Sequence, residues 1–235
     1  MMEFAIQLAL AVIPTIFAIT LHEAAHGYAA MALGDNTARD AGRLSLNPLR
    51  HVDRVGTIIL PGILLISQLI LVGKVQFMFG WAKPVPVAPW AFRDPRRGMA
   101  LVAAAGPAMN FVLAWLGALA ILAFQGPGSF NHYAIQGLFY FILSNLVLGL
   151  FNLLPIPPLD GGRIAVGILP LNLAIAWSKL ERAGIFIVLF MVFVLPYATG
   201  IDPVGAALDD ILPWAFRTVF WLSGHDLGGG AARGL

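Results

Sequence analysis

Long apolar runs separated by shorter polar stretches dominate the sequence. One run covers about residues 4–33, two more cover 98–124 and 133–154, and two with softer boundaries fit 183–196 and 204–222. A helix of about 20 apolar residues crosses the roughly 30 Å hydrocarbon core of a bilayer. The pattern therefore predicts an all-α polytopic membrane protein with about five transmembrane helices.

The apolar stretch 57–72 is shorter and contains Pro61-Gly62. The polar stretches on either side, 35–54 and 74–97, both carry arginines, whereas 125–132 is uncharged. Because Lys and Arg favour the cytoplasmic side, both flanks of 57–72 are predicted to be cytoplasmic. The stretch should then enter the membrane and return as a re-entrant segment, with the N-terminus of the protein outside and its C-terminus inside.

Residues 80–87 are predicted to be extended near the membrane surface, because Pro84 and Pro86 exclude a helix. Trp81 and Trp90 suit the membrane interface. The segment could act as a β-strand edge that pairs with an unwound substrate, or as a surface loop that packs over a site. The sequence leaves both interpretations open.

Composition supports the membrane assignment and narrows the chemistry. Of the 235 residues, 59% are hydrophobic and 11% are charged, too few charges to cover a water-facing surface. A net charge of +2 gives no indication of nucleic-acid binding, and the lack of cysteine excludes thiolate metal sites. We expect one membrane domain over 1–227, with its motif-bearing core at about 4–170, and a flexible tail over 228–235.

A candidate metal site lies in the first apolar run, where residues 22–26 read HEAAH. His22 and His26 are four residues apart and share one helix face, so both imidazoles can reach one ion. Glu23 lies about 100° further round the helix, beside the position of a metal-activated water. Ionisable residues inside an apolar span indicate function. The spacing predicts Glu23 as the general base of a peptide hydrolysis.

Asp160 is the best candidate for a third ligand. It follows the span that ends near residue 154, which runs in the same direction as the first span, so the two ends should lie at similar depth. Prolines end that span, and Gly161-Gly162 allows close approach of the backbone. The alternative is that Asp160 only caps the next helix.

Taken together, these motifs resemble those of the site-2 protease family of intramembrane metalloproteases, especially its small prokaryotic members without accessory domains. The resemblance covers about residues 15–170. It is carried by HEAAH, GRLSLNPLRHVDRVGTIILP, FGWAKPVPV, PRRGMALVAAAGPAMN and NLLPIPPLDGGR, in that order.

The resemblance implies one zinc ion per chain, held by His22, His26 and Asp160, with Glu23 as base. It also implies that Asn110 and Asn152 contact the substrate backbone or the developing oxyanion. An amide close to the metal could serve this purpose, but for both asparagines an interhelical hydrogen bond is an equally good interpretation.

The predicted function is zinc-dependent hydrolysis of peptide bonds in membrane-spanning proteins, within the lipid bilayer of a prokaryotic plasma membrane and toward its cytoplasmic side. Two alternatives are a zinc transporter and a non-catalytic metal-binding scaffold. A transporter should carry several ion sites along a path, and a scaffold needs no base beside the metal. The substrate and the oligomeric state are not readable from the sequence.

Overall fold

The structure is a computed structural model that describes residues 2–71, 80–124, 126 and 128–225. Helices account for most of these residues. The predicted tail at 228–235 lies outside the described residues. The α-helices of the described part are α1 (Met2–Ala32), α2 (Thr37–Asp40), α3 (Leu60–Leu71), α4 (Pro95–Ile121), α5 (Ser129–Asn152), α6 (Asp160–Ile168), α7 (Leu171–Lys179), α8 (Gly184–Leu189), α9 (Leu195–Thr199) and α10 (Pro203–Leu222).

Within the residues that the structure describes, four helical stretches are long and apolar enough to cross a membrane: Ala5–Ala32, Pro95–Phe124, Phe130–Asn152 and Leu171–Thr199. The protein is therefore a multi-pass membrane protein. The fourth stretch joins α7, α8 and α9 through short 3-10 and π turns, so it begins well before the predicted start at residue 183.

The predicted fifth crossing at 204–222 forms α10, but this helix is not among the four. Its 20 residues include Asp209, Asp210 and Arg217, and charged side chains in mid-helix are costly in hydrocarbon. The residues predicted as a fifth crossing are therefore helical, but their three charges exclude them from the candidate spans.

Helix α4 lies at the centre of the bundle, in contact with α1, α5, α6 and α10. Ala114 and Ala118 are fully buried between Ile142 and Leu146 of α5 and the face of α10 that carries Val219. Small side chains let helices approach closely, which favours packing inside a bilayer where the hydrophobic effect adds little. This packing fixes how α4 sits against α5 and α10.

A helical stretch fills the predicted re-entrant region. It begins as a π turn at Arg54–Ile59 and continues directly into α3, whose second residue is Pro61. The proline interrupts the helix less than the sequence indicated. The predicted return falls on 72–79, outside the described residues, but the Trp81 N–H lies 3.1 Å from the carbonyl oxygen of Gly56. Trp81 therefore lies next to the start of this helical stretch, and the re-entrant path itself stays a prediction.

The segment 80–88 is irregular, and the described part of the chain contains no β-strand. The predicted strand is therefore not supported, although alternate backbone N–H groups bind neighbouring elements. The Lys83 N–H donates to the His51 carbonyl at 2.9 Å, and Arg43 donates to the Lys83 carbonyl at 2.7 Å. One long edge of the segment is thereby attached to the loop that follows α2.

Asp35 anchors the far end of this segment to the end of α1. Its carboxylate is 1% exposed and accepts hydrogen bonds from the hydroxyl and N–H of Thr37 and, at 2.7 Å, from the Ala88 N–H. Burial alone would raise the pKa of Asp35, but the hydrogen bonds from Thr37 and Ala88 hold that pKa below its usual 3.8. The carboxylate is therefore a charged, structural acceptor.

Replacement of Asp35 by Asn should lower the free energy of unfolding by about 1–3 kcal/mol, because the amide NH2 would face the N–H of either Ala88 or Thr37, whichever way the side chain turns. Thermal unfolding in detergent measures the loss. Since the pKa of Asp35 is depressed on folding, its contribution is present at neutral pH and is lost as the pH falls below about 4. The difference between D35N and the wild type should shrink there.

D40N is the matched control for D35N. Asp40 lies five residues away with its side chain 67% exposed, and its ion pair is with the adjacent Arg39. This substitution should leave stability unchanged. Equal losses for the two variants would contradict the anchoring role of Asp35.

Candidate metal centre

Helix α1 presents His22 and His26 on one face, as the spacing predicted. The side chains are 6% and 12% exposed, and their Nε2 atoms lie 3.1 Å apart. On the opposite side of each ring, His22 Nδ1 lies 2.6 Å from Asn110 Oδ1, and His26 Nδ1 lies 2.7 Å from the carbonyl oxygen of Val102. Both partners are acceptors, so both Nδ1 atoms carry hydrogen and both Nε2 atoms present lone pairs.

Asp160 approaches the two histidines from a different helix. It is the first residue of α6, and its Oδ2 lies 3.1 Å from His22 Nε2 and 3.3 Å from His26 Nε2. Gly161 and Gly162 make the approach possible, because a Cβ at either position would overlap the backbone of the preceding turn. The N-cap position of α6 is Leu159, and no side chain caps the helix, so the capping alternative for Asp160 is wrong.

The three ligand atoms fit a tetrahedral metal ion. Bonds of about 2.0–2.1 Å in a tetrahedron place ligand atoms about 3.3–3.4 Å apart, and the distances here are 3.1, 3.1 and 3.3 Å. Asp160 Oδ2 is buried and has no hydrogen-bond donor. Two lone pairs and a carboxylate oxygen facing one another repel unless a cation lies between them.

Gly106 of α4 gives the two imidazoles their space. A Cβ at this position would lie 2.5 Å from the His26 ring atoms Cε1 and Nε2 and 2.6 Å from His22 Cε1. Val102, Gly106 and Asn110 follow one another at intervals of four residues, so a single face of α4 supports both histidines. Sequence reasoning assigned no role to Val102 or Gly106, although both lie in the PRRGMALVAAAGPAMN motif.

Glu23 lies beside the ligands in a cavity of about 420 Å³. The cavity is bounded by the segment 80–88, α4 and the loop before α6. Val85 donates its backbone N–H to Glu23 Oε2 at 3.1 Å, which attaches the segment directly to the predicted base. No sequence pattern indicated this contact, because a backbone donor leaves no signature in residue type.

The two predicted substrate-contacting asparagines have different surroundings. Asn152 lines the cavity, and its amide donates to the carbonyl of Leu148 in its own helix. Asn110 is 0% exposed, is not part of the cavity wall, and uses its side chain on His22 and Asn145. The geometry therefore does not support a substrate contact for Asn110, and the interhelical interpretation describes it better.

Comparison with known proteins identifies the family. The chain is 39% identical over 216 residues to "Putative zinc metalloprotease YwhC" of Bacillus subtilis, covering 89% of this chain and 91% of that protein. The chain belongs to peptidase family M50. The family model itself matches residues 126–195.

Two further relatives agree with this assignment. "Putative zinc metalloprotease Rip2" of Mycobacterium tuberculosis is 30% identical over 93% of this chain and 73% of its own length. "Putative zinc metalloprotease MJ0611" of Methanocaldococcus jannaschii is 36% identical over 41% of this chain and 49% of its own length. No solved structure matches the chain. The resemblance to the site-2 protease family is confirmed, and this M50 protein is a metalloprotease.

Replacement of Gly106 by Ala should displace both imidazoles of the M50 protein and lower zinc affinity by 10-fold or more. Competition with a chromophoric chelator measures the affinity. Gly137→Ala is the control, since its Cβ would meet only the flexible end of Leu10 at 3.1 Å. Unchanged zinc affinity in G106A would exclude the proposed ligand geometry.

Proposed function

We propose that this M50 metalloprotease uses one zinc ion to hydrolyse peptide bonds of membrane-spanning proteins within the bilayer. A single observation carries the proposal: the ligand atoms of His22, His26 and Asp160 converge beside Glu23, in one cavity between apolar helices. Its relatives are named as zinc metalloproteases, which supports zinc as the ion.

His22 and His26 would hold the ion through Nε2, and Asp160 through Oδ2. Three protein ligands and one open position are typical of catalytic zinc, whereas structural sites are closed by four. A zinc ion bound there would activate water as a nucleophile and polarise the substrate carbonyl. Among the described residues this is the one cluster of His and acidic side chains suited to a metal, which favours a protease over a transporter with several sites.

Glu23 would act as the general base. Its carboxylate would accept a proton from the attacking water and return it to the leaving amine nitrogen. Glu23 needs a fixed position to do so, and the hydrogen bond from the Val85 N–H supplies one. The segment 80–88 therefore contributes to positioning the base.

Asn152 would stabilise the developing oxyanion. One N–H of its amide donates to Leu148, and an amide nitrogen has a second N–H for a substrate oxygen in the cavity. The bond to Leu148 limits rotation of the side chain, so the second N–H has a defined direction.

The segment 80–88 is a suitable place for an unwound substrate strand. The N–H groups of Trp81, Lys83 and Val85 are used on protein acceptors. Ala82 and Pro84, which lie between them, line the cavity. An extended peptide could thus lie along the free edge, with its scissile bond near Glu23.

We propose location in a prokaryotic plasma membrane, with the N-terminus outside and the metal centre toward the cytoplasm. The arginines of 35–54 and 93–97 support this orientation. If the four candidate spans of the described residues are the crossings, this orientation puts the start of α10 on the outer side.

The protein contains no cysteine, so single cysteines can report on this orientation. Leu49 is 79% exposed and Phe130 is 74% exposed, at opposite ends of the bundle. In intact cells an impermeant maleimide should label F130C, and L49C only after lysis. The reverse pattern would invert the proposed orientation.

Glu23→Gln should abolish cleavage of a tagged single-span substrate, a loss of at least about 10²-fold, because the base is lost.

Metal analysis should still find one zinc per chain in E23Q, whereas Asp160→Asn should lose the zinc. Chelation of the wild type should stop cleavage, and zinc should restore it. Wild-type cleavage rates in E23Q would exclude the assigned base. Stoichiometric zinc without cleavage of any substrate would favour the scaffold.

A further inference from the structure

A chain of buried amides links helix α5 to the metal-binding face of α1. Asn145 and Asn110 are both 0% exposed, and His22 is 5% exposed. Asn110 donates through Nδ2 to Asn145 Oδ1 at 2.8 Å, and Asn110 Oδ1 lies 2.6 Å from His22 Nδ1. These contacts cross three helices, and none of the three polar groups faces bulk water.

The direction of every hydrogen bond in this chain follows from its first acceptor. The backbone carbonyl of Phe141 can only accept, so Asn145 must turn its Nδ2 toward that oxygen, at 2.8 Å. Asn145 Oδ1 then faces Asn110 and requires a donor there. Asn110 consequently turns its Nδ2 to Asn145, and also toward the Ala18 carbonyl at 3.4 Å, which leaves its Oδ1 for His22.

An amide oxygen cannot donate, so His22 must carry its hydrogen on Nδ1 and present a lone pair on Nε2. The opposite tautomer would point an N–H from Nε2 at Asp160 and block the metal. His26 needs no such chain, because its Nδ1 bonds directly to the Val102 carbonyl, whose direction the helix backbone fixes. A side-chain amide differs, since it can rotate by 180° and exchange donor for acceptor with almost no change in shape.

We infer that Asn145 is a positioning residue, which orients the Asn110 amide and thereby selects the metal-binding tautomer of His22. Asn145 touches neither the cavity nor the ligand atoms, and it acts only through Asn110. The inference rests on the proposed metal centre, because it requires His22 to be a ligand.

Asn145→Leu should lower zinc affinity by 10- to 100-fold, the usual range for loss of a group that orients a metal ligand. Chelator competition with the purified full-length protein measures this change. Gln136→Leu is the matched control: Gln136 also lies on α5 and exchanges amide hydrogen bonds with Gln7 of α1 at 2.6 and 3.2 Å. Its loss removes an α1–α5 contact of the same kind and should leave zinc affinity unchanged.

A second substitution separates orientation from packing. Asn110→Asp offers His22 an acceptor whichever way the side chain turns, so nothing remains for Asn145 to orient. Adding N145L to N110D should therefore cause no further loss of zinc affinity, since it also removes the contact between Asn145 Oδ1 and a carboxylate oxygen, whereas in the wild-type background N145L lowers the affinity by about 10-fold or more. Equal losses in both backgrounds would mean that Asn145 only packs, and would overturn the inference.

Two measurements cover the remaining outcomes. If N110D does not fold, ¹⁵N spectra of labelled histidine in the zinc-loaded protein serve instead. The hydrogen-bonded Nδ1–H signal of His22 should weaken or disappear in N145L. The same signal should remain in the control variant Q136L. An unchanged signal in N145L would overturn the inference. His22→Ala tests the metal centre itself, because unchanged zinc affinity in H22A would contradict the proposed metal site. If H22A lowers zinc affinity and N145L does not, the metal site stands and only the positioning role of Asn145 is overturned.

Discussion

Two imidazole lone pairs and a carboxylate oxygen face one another at 3.1–3.3 Å in a buried space. Without a cation such an arrangement is repulsive, and in an apolar surrounding the repulsion is poorly screened. The three ligand atoms therefore stay this close only if other contacts fix the side chain or the backbone of each ligand residue. The residues that do this explain much of the packing: α4 supports the two histidines, and the two glycines after Asp160 bring α6 against the preceding turn.

Helix α4 combines two tasks that limit its sequence. One face, with Val102, Gly106 and Asn110, receives the histidines of α1 and supplies acceptors for both Nδ1 atoms. Further along the same i+4 series, Ala114 and Ala118 pack closely against α5 and α10. Because the helix is rigid, its packing on α5 also sets where the three metal-supporting positions lie. Stability of the bundle and geometry of the metal centre are therefore linked through one element.

The segment 80–88 links the interfacial loops to the chemistry. Asp35 accepts the N–H of Ala88, and Glu23, twelve residues earlier on α1, accepts the N–H of Val85. Between these two points and Trp81, Lys83 bonds to Arg43 and His51. A peptide that pairs with the free edge would lie against a backbone already fixed to the base. Substrate alignment and base positioning would then depend on the same short piece of chain.

The sequence by itself determined the helical, membrane-embedded class and the pairing of His22, Glu23 and His26 on one helix. Both follow from local periodicity and from the cost of polar groups in hydrocarbon. It also indicated Asp160, because prolines and glycines mark a backbone that approaches something closely. Tertiary structure alone decided the surroundings of Asn110, the space left at Gly106, the Val85 contact to Glu23, and the packing of α10 on the bundle. These depend on how α4 is rotated against α1 and α5, and on backbone groups shared by every residue type, neither of which a local pattern specifies.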